Sequence, residues 1–575
     1  TGANGLTNVY TGVFNPLPFM RANIPYSSTP WRGGGTVGAQ WVDFINKLTA
    51  GTSYGPVTAT TVLTPEQGTA IFNMIEPYVN RMQGVRAEQV GFYARNEGII
   101  SLKRGGALDF RGWNLQQLGS VEMTSTALFR GAISFTPVMY DYREYANNDQ
   151  DGPFAAGNGN VIFGKGSLTQ ITPDLDSTDR IPVSGGPQSV GTLKINARTV
   201  HMAENALIYM PSGRMNVLLD GGIHVFANRG NAANQDNETG SRFMMDRGAK
   251  IDLSGWQTTL AMGYNQVSGK LFAAQLADSP LQRDGALYRK EISVDRRYGT
   301  NLADWQGFDN LSQGTLAQFL INGGSFTMDV DNDFIMKPGS VIDVSGGKIT
   351  YQDGFVYTTL LRRLDGSVID IREADPDELY MGLANEWSVI DTKWGRQKTY
   401  YIPLMSSLRG QYETSYVQGG NAGRIDILAP DALLQGTLKG STIIGRYQRT
   451  NLPQAGSFIL NRAGESEKEY VSNNLLITAT EKLLSDAFGM RDKLSDVFGD
   501  FFGEEYDPDK DAPGSKGTLV DNGTLASADF FNRSTMGSYA LNQNGRVDFK
   551  APKVNNNFQP KDGVAALVEP GVNLK

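Results

Sequence analysis

The sequence predicts an all-β chain, a parallel β-helix (solenoid) with an inserted hairpin and short helical excursions. Three observations predict it. First, a phrase recurs: Gly339-Ser-Val-Ile-Asp-Val-Ser-Gly346 returns as Gly248-Ala-Lys-Ile-Asp-Leu-Ser-Gly255, and more loosely as Gly105-Gly-Ala-Leu-Asp-Phe-Arg-Gly112. Each copy reads as a short strand closed by a glycine turn. Such a strand cannot bury its apolar face alone, so repetition implies stacking. Second, glycine turns recur after 22 or 23 residues, from Gly191 to Gly213, Gly324 to Gly347 and Gly423 to Gly445. That length holds about three short strands and their turns, one coil of a β-helix. Third, apolar and polar residues alternate. Phe326, Met328 and Val330 share one face, as do Leu193, Ile195 and Ala197, and Ile425 and Ile427. Period-2 alternation places these sets inside and their polar neighbours outside. About fifteen to twenty coils at the usual strand spacing would stack to roughly 70–100 Å.

Composition narrows the functional classes. The chain has 575 residues with 67 glycines, 40% apolar and 19% charged residues, enough for a core and rich in turns. A net charge of −8 and the lack of a long basic run argue against nucleic acid as a partner. Cysteine is absent, which excludes disulfides and thiolate metal sites. It fits a reducing compartment, or a chain that crosses an envelope unfolded. No run of apolar residues is long enough for a transmembrane helix. The chain begins at Thr1 without a signal peptide, so it reads as a piece of something longer or processed.

Along the chain, residues 1–90 form an irregular and helical lead-in. Residues 41–49 have the pattern of a short amphipathic helix, and Thr64-Pro-Glu-Gln67 is a capping-box start to a helix running to about Met82. Residues 91–351 are coils with loop insertions, including a Tyr-rich excursion at 138–160 and a polar loop at 228–240. Residues 352–418 are an inserted hairpin and aromatic subdomain, turning at Asp365-Gly366. Coils resume over 419–479. Residues 480–515 are an amphipathic helical and acidic insertion, where Leu483, Leu484, Ala487, Phe488, Leu494, Val497, Phe498, Phe501 and Phe502 present an apolar face suited to covering the coils or docking a neighbour. Residues 516–575 are terminal coils or a cap.

Four segments carry a family likeness: Leu276-Ala-Asp-Ser-Pro-Leu-Gln-Arg-Asp-Gly285 with Val294-Asp-Arg and Gly299-Thr-Asn-Leu-Ala-Asp304; Pro338-Gly-Ser-Val-Ile-Asp-Val-Ser-Gly-Gly347; Asp370-Ile-Arg-Glu-Ala-Asp-Pro376 with Trp394-Gly395; and Tyr412-Glu-Thr-Ser-Tyr-Val-Gln-Gly-Gly-Asn-Ala-Gly423. In this order, over residues 245–460, the chain resembles the filamentous-haemagglutinin-like exoproteins of Gram-negative two-partner secretion. The resemblance implies a right-handed coil, secretion to the cell surface or beyond, an outer-membrane transporter partner, and adhesion or matrix building.

Few residues point to chemistry. Asp109, Asp252 and Asp343 of the repeated phrase suit turn capping. Asp329, Asp331 and Asp333 recur at period 2, and a shared face would suit calcium or a carboxylate pair. Asp507-Pro-Asp-Lys-Asp-Ala-Pro-Gly514 has oxygen ligands, but lacks the later glutamate of a calcium loop. Calcium is thus the one cofactor left open. The two histidines, His201 and His224, have no catalytic setting. The aromatic residues of the excursions are the binding candidates: Trp387, Trp394, Tyr400 and Tyr401, with Tyr140, Tyr142 and Tyr145. They suit stacking on sugar rings or anchoring a protein, or else form the insertion's own core. The reading is a non-enzymatic surface protein whose partner is a glycan, a protein receptor or a matrix polysaccharide, with self-association into fibres as a variant. The alternative is a polysaccharide lyase or hydrolase on the same scaffold.

Overall fold

The computed structural model describes residues 93–140, 159–219, 241–461, 474–498 and 523–541, apart from a few positions within them, and short pieces elsewhere. The chain is strand-rich, and three long sheets dominate it. The first has ten strands, the second seven and the third nine. Successive strands visit them in rotation. Asn160–Phe163, Leu168–Pro173 and Gly191–Ala197 lie in the first, second and third sheets. Thr199–Met202, Leu207–Tyr209 and Arg214–Leu219 follow in the same order. Each strand pairs in parallel with its counterpart from the next circuit. Leu193 faces Met215, a step of 22 residues that matches the spacing in the sequence. The exception is Phe154–Ala156, which pairs antiparallel with the end of Gly131–Tyr140 and closes the 138–160 excursion.

Alternation fixes which side chains point inward. In the third sheet Leu108, Ile133, Leu193, Met215, Phe326, Ile425 and Phe458 stand in one column of paired positions. In the first, Leu115, Val161, Val200, Phe243 and Phe334 do the same. Both columns are buried and meet the second sheet's Val121, Ile208, Ile251 and Ile342 in a single core. Rings stack between neighbouring strands, as in Phe110 on Phe135 at 4.7 Å.

The repeated phrase divides in two. Lys250–Asp252 and Val341–Asp343 are adjacent strands of the second sheet, paired residue for residue. Gly248 and Gly339, before them, take φ of +75° and +84°, where only glycine sits without strain. The looser copy is not their equivalent: Gly106–Gly112 lies in the third sheet. Asp252 accepts hydrogen bonds from the Ser254 amide and hydroxyl, and Asp343 from the Ser345 amide, which is turn capping.

Three expectations need correction. The longest sheet has ten strands among the described residues, short of fifteen to twenty coils, because insertions take up so much chain. Gly347 and Gly445 begin no new coil: after Ser325–Val330 the third sheet continues only at Arg424–Leu428, and then at Ser457–Leu460. Nor is the inserted body confined to 352–418. Residues 256–322 form a second insertion. Its Leu271, Leu276, Leu287, Ile292 and Val294 share a core with Leu361, Ile369, Ile371 and Tyr380 of the other.

The far end of the first sheet is out of sequence order. From Asp431–Leu434 the neighbours run Gly523–Ser527, Asn474–Thr478, Ala565–Val568. The chain therefore sets a strand one place out and later returns to fill the gap. Between those visits it crosses the outer face of this sheet. There Met244, Ile335, Leu433 and Leu525, paired in sequence across four strands, are covered by Leu484, Phe488 and Leu494. Of the helix or helix pair expected at 480–502, only Leu494–Phe498 is helical among the described residues; 481–490 holds no helix, and Leu483 and Ala487 of the expected apolar face are exposed. Phe501 and Phe502 lie outside those residues, as do most of the lead-in helices. The Thr64 capping box is present: the Thr64 amide donates to Gln67 Oε1 at 3.0 Å and the Gln67 amide to Thr64 Oγ1 at 3.2 Å. No helix among the described residues is long and apolar enough to cross a membrane.

Candidate functional site

The inserted body is organised around one long strand, Gly354–Arg363. It turns at Asp365-Gly366, where Gly366 has φ +85° and Asp365 accepts from the Ser367 amide, and pairs antiparallel with Val368–Asp370. It also pairs with Tyr380–Leu383 and Leu408–Glu413. From this base a ribbon projects. Glu386–Asp391 and Arg396–Tyr401 pair with each other and with no third strand among those described. At its foot, Glu386 is buried against Lys290 of the other insertion at 2.6 Å, and the Ile402 amide bonds to Asn385 O. At its tip, Asp391 accepts from the Lys393 amide and Gly395 supplies φ +59°.

The ribbon carries the four aromatic candidates, and none forms the insertion's core. Trp387 and Tyr400 are directly paired, so they share one face with Val389 and Lys398. Trp387 is 50% exposed, Trp394 69% and Tyr401 64%. Lys398 lies 5.0 Å from the Tyr400 ring and Lys393 5.4 Å from the Trp394 ring. Residues 387–401 contain three bases and one acid in a chain of net charge −8. A two-stranded ribbon is marginally stable alone and gains nothing by exposing tryptophan, which makes the patch a candidate contact surface.

A second aromatic patch went unseen in the sequence. Phe355, Tyr357 and Tyr412 are exposed on the paired strands at the base, with Phe355 and Tyr412 edge-on at 5.4 Å. The Phe355-x-Tyr357 alternation against buried Val356 and Thr358 carried the signal. Asp353 accepts the Tyr412 hydroxyl proton at 2.6 Å, which raises the phenol above its ordinary range. Of the other candidates, Tyr140 ends the strand Gly131–Tyr140, while Tyr142 and Tyr145 lie outside the described residues.

The segments that carry the family likeness join the two insertions. Arg297 is buried against Asp295 at 2.6 Å and reaches Glu413 at 3.3 Å, among the rings of Tyr298, Tyr416 and Tyr447. The Thr300 hydroxyl donates to Ile371 O at 2.6 Å. These contacts tie the two insertions into one platform.

The two described members of the acidic trio lie in different sheets. Asp329 is in the third sheet and Asp333 in the first, where Arg242 Nε donates to it at 2.7 Å. Asp331 and residues 507–514 lie outside the described residues. Among those described, no three acidic or histidine side chains are placed to share a metal ion. His201 bonds to Asp246 at 2.8 Å and His224 lies outside. Comparison with known proteins gives no match: no family model, curated protein or solved structure aligns with the chain.

Proposed function

We propose that this chain is a right-handed parallel β-helix from a secreted surface exoprotein, and that it binds by presenting the aromatic ribbon from a stiff scaffold. The supporting observation is that Trp387, Trp394, Tyr400 and Tyr401 stand exposed on a ribbon whose foot is held by buried Glu386 paired with the partly buried Lys290. A rigid foot lowers the entropy lost when the tip engages a partner. The rotation of strands through three parallel sheets around one core supports the β-helix, and right-handed crossovers are the rule for parallel strands. Secretion through a transporter, and the adhesin or filament role, rest on the resemblance to filamentous-haemagglutinin-like exoproteins.

Aromatic faces beside lysines suit an anionic glycan, where rings stack on sugars and bases meet carboxylate or sulfate. Individual contacts would be weak, with avidity supplied by many copies. Binding of the chain to an immobilised acidic matrix polysaccharide tests this. Trp387→Ala and Trp394→Ala are expected to weaken it at least about tenfold, roughly 1.4 kcal/mol. Unchanged binding in both variants would remove the ribbon from the reading. Electron microscopy of the native material tests the filament role: a regular polymer supports it, and isolated short rods oppose it.

A further inference from the structure

A second surface feature lies apart from the ribbon, where both insertions rejoin the third sheet. Asn322, Asn421 and Gln454 each stand three residues before a strand of that sheet, Ser325–Val330, Arg424–Leu428 and Ser457–Leu460, on successive rungs. Together with Gln418, Leu452 and Pro453 they line an open cleft of about 440 Å³. That volume is within the range of small-ligand sites, roughly 300–1,000 Å³. None of the residues lining it is charged.

The orientation of the side-chain amides is fixed. The Asn421 backbone N–H donates to Asn322 Oδ1 at 2.9 Å, and the Gln454 backbone N–H donates to Asn421 Oδ1 at 2.9 Å. An oxygen engaged by a backbone donor cannot exchange places with the amide nitrogen, so each Nδ2 is directed away from the ladder. Among the described residues these two nitrogens have no protein partner. Gln418 lies beside them, its side-chain amide 3.4 Å from the Tyr351 hydroxyl. The cleft thus offers N–H donors at fixed positions, repeating at about 4.8 Å along the stack, beside the apolar surfaces of Leu452 and Pro453.

We propose that this cleft binds a neutral saccharide, with the Asn322 and Asn421 amide N–H groups donating to its hydroxyls. A sugar supplies hydroxyl acceptors for the amides and C–H faces for Leu452 and Pro453. The cleft has no cation for a phosphate, sulfate or uronate, which would be desolvated there without compensation. The strand spacing is comparable with the length of one sugar unit, so successive rungs can engage successive residues of a chain. The inference requires only this geometry and stands whether or not the ribbon binds.

The test is saturation-transfer NMR on the whole chain with cellobiose, maltose and lactose, and with glucuronate and a tri-alanine peptide as competing classes. At least one neutral disaccharide is expected to bind, with Kd on the order of 1 mM. Asn322→Asp and Asn421→Asp keep the oxygen that holds the backbone but remove the N–H donors. Each should weaken binding about tenfold at an unchanged melting temperature. Leu452→Glu, on the exposed rim, should weaken it without touching the ladder. Binding that survives all three substitutions overturns the proposal, as does equal or better binding of glucuronate or the peptide. Binding lost in Trp387→Ala but kept in Asn322→Asp assigns the sugar to the ribbon and also overturns it. No binding by any neutral disaccharide at about 10 mM does the same.

Discussion

The outer face of the first sheet and the projecting ribbon are both apolar surfaces on strands, yet the chain treats them in opposite ways. Met244, Ile335, Leu433 and Leu525 are covered by residues 484–498 and buried. Trp387, Trp394, Tyr400 and Tyr401 are covered by nothing described and remain exposed. The cover is also anchored by charge. Arg242, paired with Asp333, donates through Nη1 to the carbonyls of Met490 and Asp492 at 3.1 and 2.7 Å. Lys337, 1% exposed, donates to Phe488 O at 2.5 Å and pairs with Asp246 at 2.7 Å. Buried cations that satisfy backbone carbonyls hold one segment in one place. The ribbon has an ion pair at its foot, with Glu386 buried, and lysines beside exposed rings further out. The difference teaches that apolar exposure on this scaffold is selective: where the chain needs a closed face it supplies its own cover.

That comparison can be broken from the covered side first. Asp333→Ala leaves the Arg242 charge buried without its partner and is expected to cost about 3–5 kcal/mol in denaturant unfolding. A cost under about 1 kcal/mol would show that the pair is not what anchors the face. Phe488→Ala should cost about 3 kcal/mol and open residues 482–498 to protease, since it empties the centre of the cover.

Acid should act on the covered side through Asp246. Burial works to raise the Asp246 carboxyl, but the hydrogen bonds from His201 and Lys337 outweigh it and hold it below its usual range. A lowered folded-state value contributes stability above the unfolded carboxylate's pKa, and that contribution is lost as pH falls through the folded value. The expected window is below about pH 4. Melting temperature in Asp246→Asn should fall less steeply there than in the parent chain; equal slopes would count against this assignment. The smallest effect on stability belongs to the ribbon, where Trp394→Ala should change unfolding by no more than ~0.5 kcal/mol. A large loss would mean that Trp394 packs on something and is no contact residue.

Much of the scaffold was legible because it depends on local pattern. Alternation named Phe326, Met328 and Val330 as inward-facing, and all three are buried. The Asp365-Gly366 turn and the Thr64 capping box follow from residue chemistry within four positions, and both are present. The aromatic residues at 387–401 were picked out by composition, but not their exposure, which depends on Leu361, Ile369 and Tyr380 filling the core in their place.

The sequence by itself determined the alternating strands, the turns and the 22-residue step of the one uninterrupted circuit from Leu193 to Met215, because a strand's faces and a glycine's φ are properties of a few adjacent residues. Only the tertiary structure decided which strands share a sheet. It separated Asp329 from Asp333, joined 256–322 to the later insertion, and returned Gly523–Ser527 to a place beside Asp431–Leu434. These are pairings between residues tens of positions apart, set by which apolar surfaces remain to be buried once the local elements have formed.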